Sequence, residues 1–186
     1  MEIDKELLEK LFDQARHNPR LRQNFDLRTS ADDNSQRMLN ALLPGTVVPI
    51  HRHPQSTEMV VVLCGKLVEV IYDDGGREVE RISLDPQAGK YGCVVPKGAW
   101  HTVEVLEPSV IFEAKDGGYG VDGSEVWSGV KDKTAFSNCL GDLKKNVEYL
   151  IGMERQQGAV DVSPEYIARV LNVPVEDVRR VMTEMA

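Results

Sequence analysis

Between residues 36 and 115 the apolar residues come in short runs, and a turn signal follows each one. QRMLNALL precedes PG, TVVPIHRH precedes PQST, EMVVVL precedes CG, and KLVEVIYDD precedes GG. REVERISL precedes DPQAGKYG, CVVP precedes KG, AWHTVEVLE precedes PS, and VIFEAKD precedes GGYG. Runs this short suit strands better than helices, and nothing between them resembles the crossover helix of a βαβ unit. Eight short strands at this spacing predict a mainly β protein, an antiparallel sandwich or barrel. Asp73-Asp74-Gly75-Gly76 is the clearest hairpin turn among them.

The period changes at both ends. Residues 4–16 place Leu7, Leu8, Leu11, Phe12 and Ala15 at helical spacing, with Asp4 as the N-cap and Asn18-Pro19 as the stop. RLRQNFDLRTSADDNSQ reads as a polar lead into the first strand. Beyond residue 120, VDGSEVWSGVKDKTAF reads as a Gly-containing connector. Helical periodicity returns at 138–153 (with Leu140, Leu143, Val147, Leu150 and Ile151), at 163–171 and at 174–185. Ser163 and Pro164 are an N-cap and a first-turn proline. The expected organisation is a β domain with its N-terminal helix over 1–125, then a linker and α-helical extension over 126–186.

The charge narrows the choice of partners. The chain of 186 residues carries a formal −8, from 22 Lys/Arg against 30 Asp/Glu. A general nucleic-acid binder needs the opposite balance to neutralise phosphates. The charged start, MEIDKELLEK, lacks the apolar region of a signal peptide. Cys64, Cys93 and Cys139 are odd in number and widely spaced, which predicts reduced thiols in a cytoplasmic protein.

Two of only four histidines stand in PIHRHPQSTEM. Side chains two apart on a strand share a face, so His51 and His53 point one way and Arg52 the other. Glu58 follows a four-residue turn and opens the next strand, where it can return beside the imidazoles. A third histidine, His101, follows PKGAW in a later strand. Such a nitrogen-rich set suits Fe, Zn, Ni, Cu or Mn better than Mg or Ca.

Gly45, His51, His53, Glu58 and Gly65 stand at the spacing of the first cupin motif. Pro96, Lys97, Gly98 and His101 resemble the second, although Val105 stands where that motif usually has asparagine. With NPRLRQNF, SQRMLNALLPG, HRHP and FEAK, the chain resembles the WbuC-type cupin fold metalloproteins over about residues 1–118. These are small bacterial proteins, some encoded near O-antigen genes. The resemblance implies a cupin jelly-roll (double-stranded β-helix) barrel with His51, His53, Glu58 and His101 as ligands of one divalent ion, Fe, Zn, Ni or Mn. Glu58 has an alternative role as a general base beside three histidines. The implied function is a metalloenzyme for a small sugar or carboxylic acid, in the range of isomerase or epimerase, dioxygenase and decarboxylase chemistry.

Strand parity puts Val60, Val62 and Cys64 on the face of Glu58, and Val103 and Val105 on that of His101. Arg22, Asn24, Arg37, Arg52 and Lys115 are candidates for an anion-binding rim, since Arg reads carboxylate or phosphate in bidentate fashion. Asn40, on the face of Met38, and Tyr91 and Tyr119 complete the pocket candidates. SPEYIARVLNVPVEDVRRVM has the small, turn and apolar residues of a helix-turn-helix at Ala168, Asn172, Val173, Val178 and Val181. Glu176 and Asp177 at the start of its second helix would repel phosphates, which favours packing or homodimerisation over DNA binding. A metal-dependent sensor or transcriptional regulator and a non-catalytic metalloprotein are the alternatives to an enzyme.

Overall fold

The computed structural model describes residues 1–30, 32–117, 123–127, 143–156, 162–171 and 173–185. Tyr119, Cys139, Leu140 and Asn172 lie outside them. The chain divides into two compact units, Met1–Asp132 and Lys133–Ala186.

The first unit opens with helix α1, Lys5–His17. Asp4 caps it as expected, accepting a hydrogen bond from Leu7 N at 2.9 Å. Eight strands follow among the described residues: β1 Arg22–Asp26, β2 Ser35–Leu42, β3 His51–Arg52, β4 Glu58–Tyr72, β5 Glu78–Leu84, β6 Gly92–Val95, β7 Trp100–Asp116 and β8 Glu125–Val126. All pairings are antiparallel, within one sheet that runs β1-β2-β7-β3-β8, with β4 bonded to β5, β6 and β7. The fold is thus mainly β and compatible with a jelly roll, although the hydrogen-bonded sheet is not a closed barrel.

The strands differ from the sequence expectation in five places. The polar lead contains β1, which pairs with β2 from Arg22↔Leu42 to Asp26↔Met38. The supposed connector contains β8. TVVPIHRH contributes only the two residues of β3. The expected turns at Cys64-Gly65 and Pro108-Ser109 are bulged bends inside β4 and β7, which therefore run 15 and 17 residues without a break. One bulge sets Cys64 opposite Val110 rather than Ser109, and Cys64 packs with the helix-side cluster instead of on the face of Glu58.

These bends position the site. In the register of β4 against β7, Ile71 lies opposite His101 and Glu58 opposite Lys115. At roughly 3.3 Å per residue, a straight ribbon would hold Glu58 about 40 Å from His101. Their side chains are 3.0 Å apart, so the ribbon is folded back on itself. The fold falls where Gly65 meets Pro108 and Ser109. A Cβ on Gly65 would stand 2.2 Å from the Pro108 carbonyl oxygen and 2.6 Å from Ser109 Cα.

Two apolar layers result. Leu11 and Ala15 of α1 cover Leu39, Ala41 and Val110 on one face of β1, β2 and β7. The opposite, inner face holds Leu42, Val60, Val62, Leu67, Leu84 and Ile111, with Val103 and Val105 beside them.

The second unit holds α2, Leu143–Gln156, α3, Pro164–Leu171, and α4, Val175–Met185. Ser163 Oγ accepts from Tyr166 N at 3.1 Å, the expected cap. Val147, Val162, Ile167, Ala168, Val178 and Val181 form its own core. No helix among the described residues is long and apolar enough to cross a membrane.

Candidate metal centre

His51 and His101 are direct cross-strand partners on β3 and β7, and β8 flanks His51 from the other side through Val126. His53 follows immediately, and Glu58 opens β4. One ligand atom from each of the four residues lies within 4.8 Å of the others. His53, Glu58 and His101 are 4%, 4% and 2% exposed, and His51 is half-buried.

The hydrogen bonds orient the rings. His51 Nδ1–H donates to the Pro49 carbonyl at 2.9 Å, and His101 Nδ1–H to that of Ala99 at 3.0 Å. His53 Nδ1 bonds the Ser124 hydroxyl at 2.9 Å. Each imidazole thereby turns Nε2 toward the cluster, the outer-nitrogen partner typical of metal-ligating histidines.

One contact needs a proton or a metal ion between its atoms. His101 spends its Nδ1–H on Ala99, yet its Nε2 stands 3.0 Å from Glu58 Oε2. A neutral imidazole has only one N–H, so two lone pairs face each other unless a proton or metal lies between them. His53 Nε2 is 3.4 Å from the same oxygen. Donors about 2.0–2.2 Å from one ion stand about 3.0–3.4 Å apart at angles of about 90–110°, so the residues fit a metal.

Electrostatics agree. Burial, with help from His101 and His53, lowers the His51 pKa to about 3, leaving the neutral form a metal requires. Burial alone would raise the Glu58 pKa. Hydrogen bonds from His101 and His53 and the charge of Lys115 outweigh it and hold the carboxyl ionised, well below its usual range. These four residues could hold a metal ion.

The remaining sequence candidates scatter. Lys115 is in the cluster, 7% exposed, with Nζ 3.0 Å from His53 Nε2 and 3.5 Å from Glu58 Oε1. Asn24 and Asn40 pair across β1 and β2 on the inner face, in the row of Ile111. Arg22, two residues from Asn24, lies within electrostatic reach of Glu113. Three others point elsewhere. Arg37 is on the Leu39 face, paired with Asp33. Arg52 faces away from the histidines, ion-paired to Glu125 at 2.6 Å, with its guanidinium carbon 4.4 Å from the centre of the Trp100 ring. Tyr91 is 62% exposed.

Three inner-face polar residues escaped the sequence reading. Glu113 sits between Met38 and Val60, one row from Lys115. Burial and the nearby Glu58 raise its pKa to about 7. Glu69, opposite Val103, is fully buried with neither carboxyl oxygen hydrogen-bonded, and burial raises its pKa well above the usual range. Gln36 Oε1, in the row of Lys115, is buried without a partner as well. Glu113 stands two residues before Lys115 on the same strand, so strand alternation was the available signal.

Residues 3–84, less than half of the chain, match the family described as "Domain of unknown function (DUF6016)". No curated protein sequence matches. Solved structures of cupin-fold proteins resemble it at low identity. The capsular polysaccharide assembling protein CapF from Staphylococcus aureus is 21% identical over 50% of this chain, with a TM-score of 0.44. The chain spans only 26% of CapF. The TT1209 protein from Thermus thermophilus is 26% identical, covering 63% of this chain and 98% of its own, with a TM-score of 0.46. An oxalate decarboxylase is 16% identical, covering 86% of this chain and 34% of its own, with a TM-score of 0.44. These likenesses concern the fold; the case for the site is the geometry above.

Proposed function

We propose that the chain is a metal-binding cupin of the WbuC type, a cytoplasmic metalloenzyme acting on a small sugar or carboxylic acid. The observation that carries the metal reading is the convergence of four mostly buried ligand atoms, with the His101–Glu58 contact at 3.0 Å needing a proton or a metal ion between its atoms. Fe, Zn, Ni or Mn suits that donor set. A bound ion of this kind supplies a Lewis acid for a carbonyl oxygen or an acidified water. Pro49, Ala99 and Ser124 hold the rings in the ligating orientation. Val60, Val62 and Ile111 form a buried apolar layer on the same inner face. The free thiols of Cys64 and Cys93 support the cytoplasmic reading.

Metal analysis of protein purified without an affinity tag tests this. The wild type should carry about one ion per chain, since four convergent donors hold one cation. His51→Ala and His101→Ala should each carry far less. A wild type that takes up no Fe, Zn, Ni or Mn, even after loading, overturns the reading.

The features of the helical unit argue against regulation of DNA. Its apolar positions are spent on its own core. Arg179 is ion-paired to Glu165 and Glu176, and Arg180 to Asp177. We read the protein as a homodimer. Sedimentation should give twice the chain mass, and a gel shift at low salt should show no retarded DNA.

A further inference from the structure

Glu69 and Gln36 are buried on the inner face of the β unit with hydrogen-bonding atoms that have no partner among the described residues. In Glu69, 0% exposed, these are both carboxyl oxygens, and in Gln36, 2% exposed, Oε1. Both residues stand beside the metal centre. Glu69 pairs with Val103 across β4 and β7, and Ile71, two residues on, pairs with His101. Glu69 and His101 are therefore diagonal neighbours on one face, with Cα atoms roughly 7–8 Å apart, within reach of a long side chain. Gln36 lies opposite Lys115, which lies opposite Glu58 on its other side, so the three share one row. Glu69 is not among the four convergent donors, so a cation on those donors would leave its oxygens unpaired. Buried polar atoms without a partner are costly, and native proteins keep few of them.

Donor and acceptor chemistry decides what can pair with them. The amide oxygen of Gln36 only accepts. The Glu69 carboxyl accepts when ionised, and both donates and accepts when protonated. A hydroxyl donates and accepts, so it serves both side chains in either form of Glu69. The carboxylate of a simple acid only accepts, and serves neither Gln36 nor an ionised Glu69. We propose that the ligand of the metal centre is a polyhydroxy compound, a sugar or polyol, with one oxygen on the ion and a further hydroxyl hydrogen-bonded to Glu69. Gln36 Oε1 accepts from another. This rests on the metal reading above and narrows its substrate class from sugar or acid to sugar. Glu69 then determines specificity by exclusion, because a ligand without that hydroxyl leaves the carboxyl desolvated and unpaired.

Titration calorimetry on zinc-loaded protein tests this. The probes are glycerol, D-ribose and D-xylose on one side and acetate, propionate and pyruvate on the other. The tightest polyol should bind at least tenfold more tightly than the tightest acid. Glu69→Met removes the carboxyl at nearly constant length. It should hold one zinc per chain, melt no lower than wild type because no partner is lost, and lose at least tenfold in affinity for that polyol. Glu69→Gln should retain part of the affinity. An acid that binds as tightly as the tightest polyol overturns the proposal, and so does the absence of binding by all three polyols. Unchanged polyol affinity in Glu69→Met overturns it too, and is the result expected if a buried water alone serves the carboxyl. A Glu69→Met protein that melts lower or does not fold shows the carboxyl to be structural, which also overturns it. Failure to take up zinc refutes the metal reading itself, and the zinc content separates that failure from the others.

Discussion

Replacing Gly65 with alanine should cost far more than replacing a glycine of the same backbone conformation elsewhere. Gly65 has φ +87° and Gly89 φ +75°. Adding a Cβ in that left-handed region costs roughly 1–2 kcal/mol at either position. At Gly89 the new methyl meets nothing within 4 Å. At Gly65 it would lie 2.2 Å from a backbone oxygen and 2.6 Å from a Cα. The two halves of the folded ribbon must then part by roughly 1 Å, an overpacking cost of about 1–3 kcal/mol. The totals are about 2–5 kcal/mol for Gly65→Ala and about 1–2 kcal/mol for Gly89→Ala. At roughly 2–4 °C per kcal/mol, the central expectations are losses in Tm of about 10 °C and about 4 °C. Intrinsic fluorescence is the assay, because both tryptophans, Trp100 and Trp127, belong to the β unit. Metal content gives a second readout: Gly65→Ala should also bind metal more weakly, since the bend brings Glu58 to His101. Equal melting shifts in the two variants would refute the steric argument.

Other outcomes follow from the site. Glu58→Gln should lose most of its metal in elemental analysis, because it removes the only negative charge among the four donors. Glu113 titrates near 7 in the fold against 4.5 outside it. Its stabilising preference for the protonated form is fully present below pH 4.5 and is lost as pH rises through 7. In metal-free protein, Glu113→Gln should therefore raise Tm relative to wild type more at pH 8 than at pH 4, read in paired melts. His51 behaves oppositely: held near 3 against 6.5, it contributes stability above pH 6.5 that is lost as pH falls toward 3. In metal-free protein, His51→Ala should flatten the acid side of the Tm–pH curve. Arg52→Ala should cost about 1–2 kcal/mol from its ion pair and cation–π contact, change the tryptophan emission, and leave metal content at the wild-type level.

Local rules carried most of the reading. Asp4 and Ser163 cap the helices they were expected to cap, and Asp73 to Gly76 turns the β4–β5 hairpin. The spacing of His51, His53 and Glu58 brought those residues together, because a two-residue period and a short turn determine their relation. What escaped depends on distant chain. A glycine or proline reads the same whether it ends a strand or bends one, so Cys64-Gly65 and Pro108-Ser109 passed for turns. The bulge beside Cys64 then reversed its facing. RQNFD looks polar because Asn24 and Asp26 face an interior that is itself polar at Asn40 and Glu113. Arg37 and Arg52 looked like anion binders only until their partners Asp33, Glu125 and Trp100 were known.

Ser124 and β8 lie outside both residues 1–118, where the cupin resemblance holds, and residues 3–84, where the family match holds. Yet one supports His53 and the other borders His51. A chain cut at the end of the recognisable motif would keep all four ligands and lose the latch that steadies two of them. Trimming to the motif would therefore yield a protein that folds as a sheet but holds its ion loosely. Residues 123–127 belong to the machinery despite their unremarkable sequence.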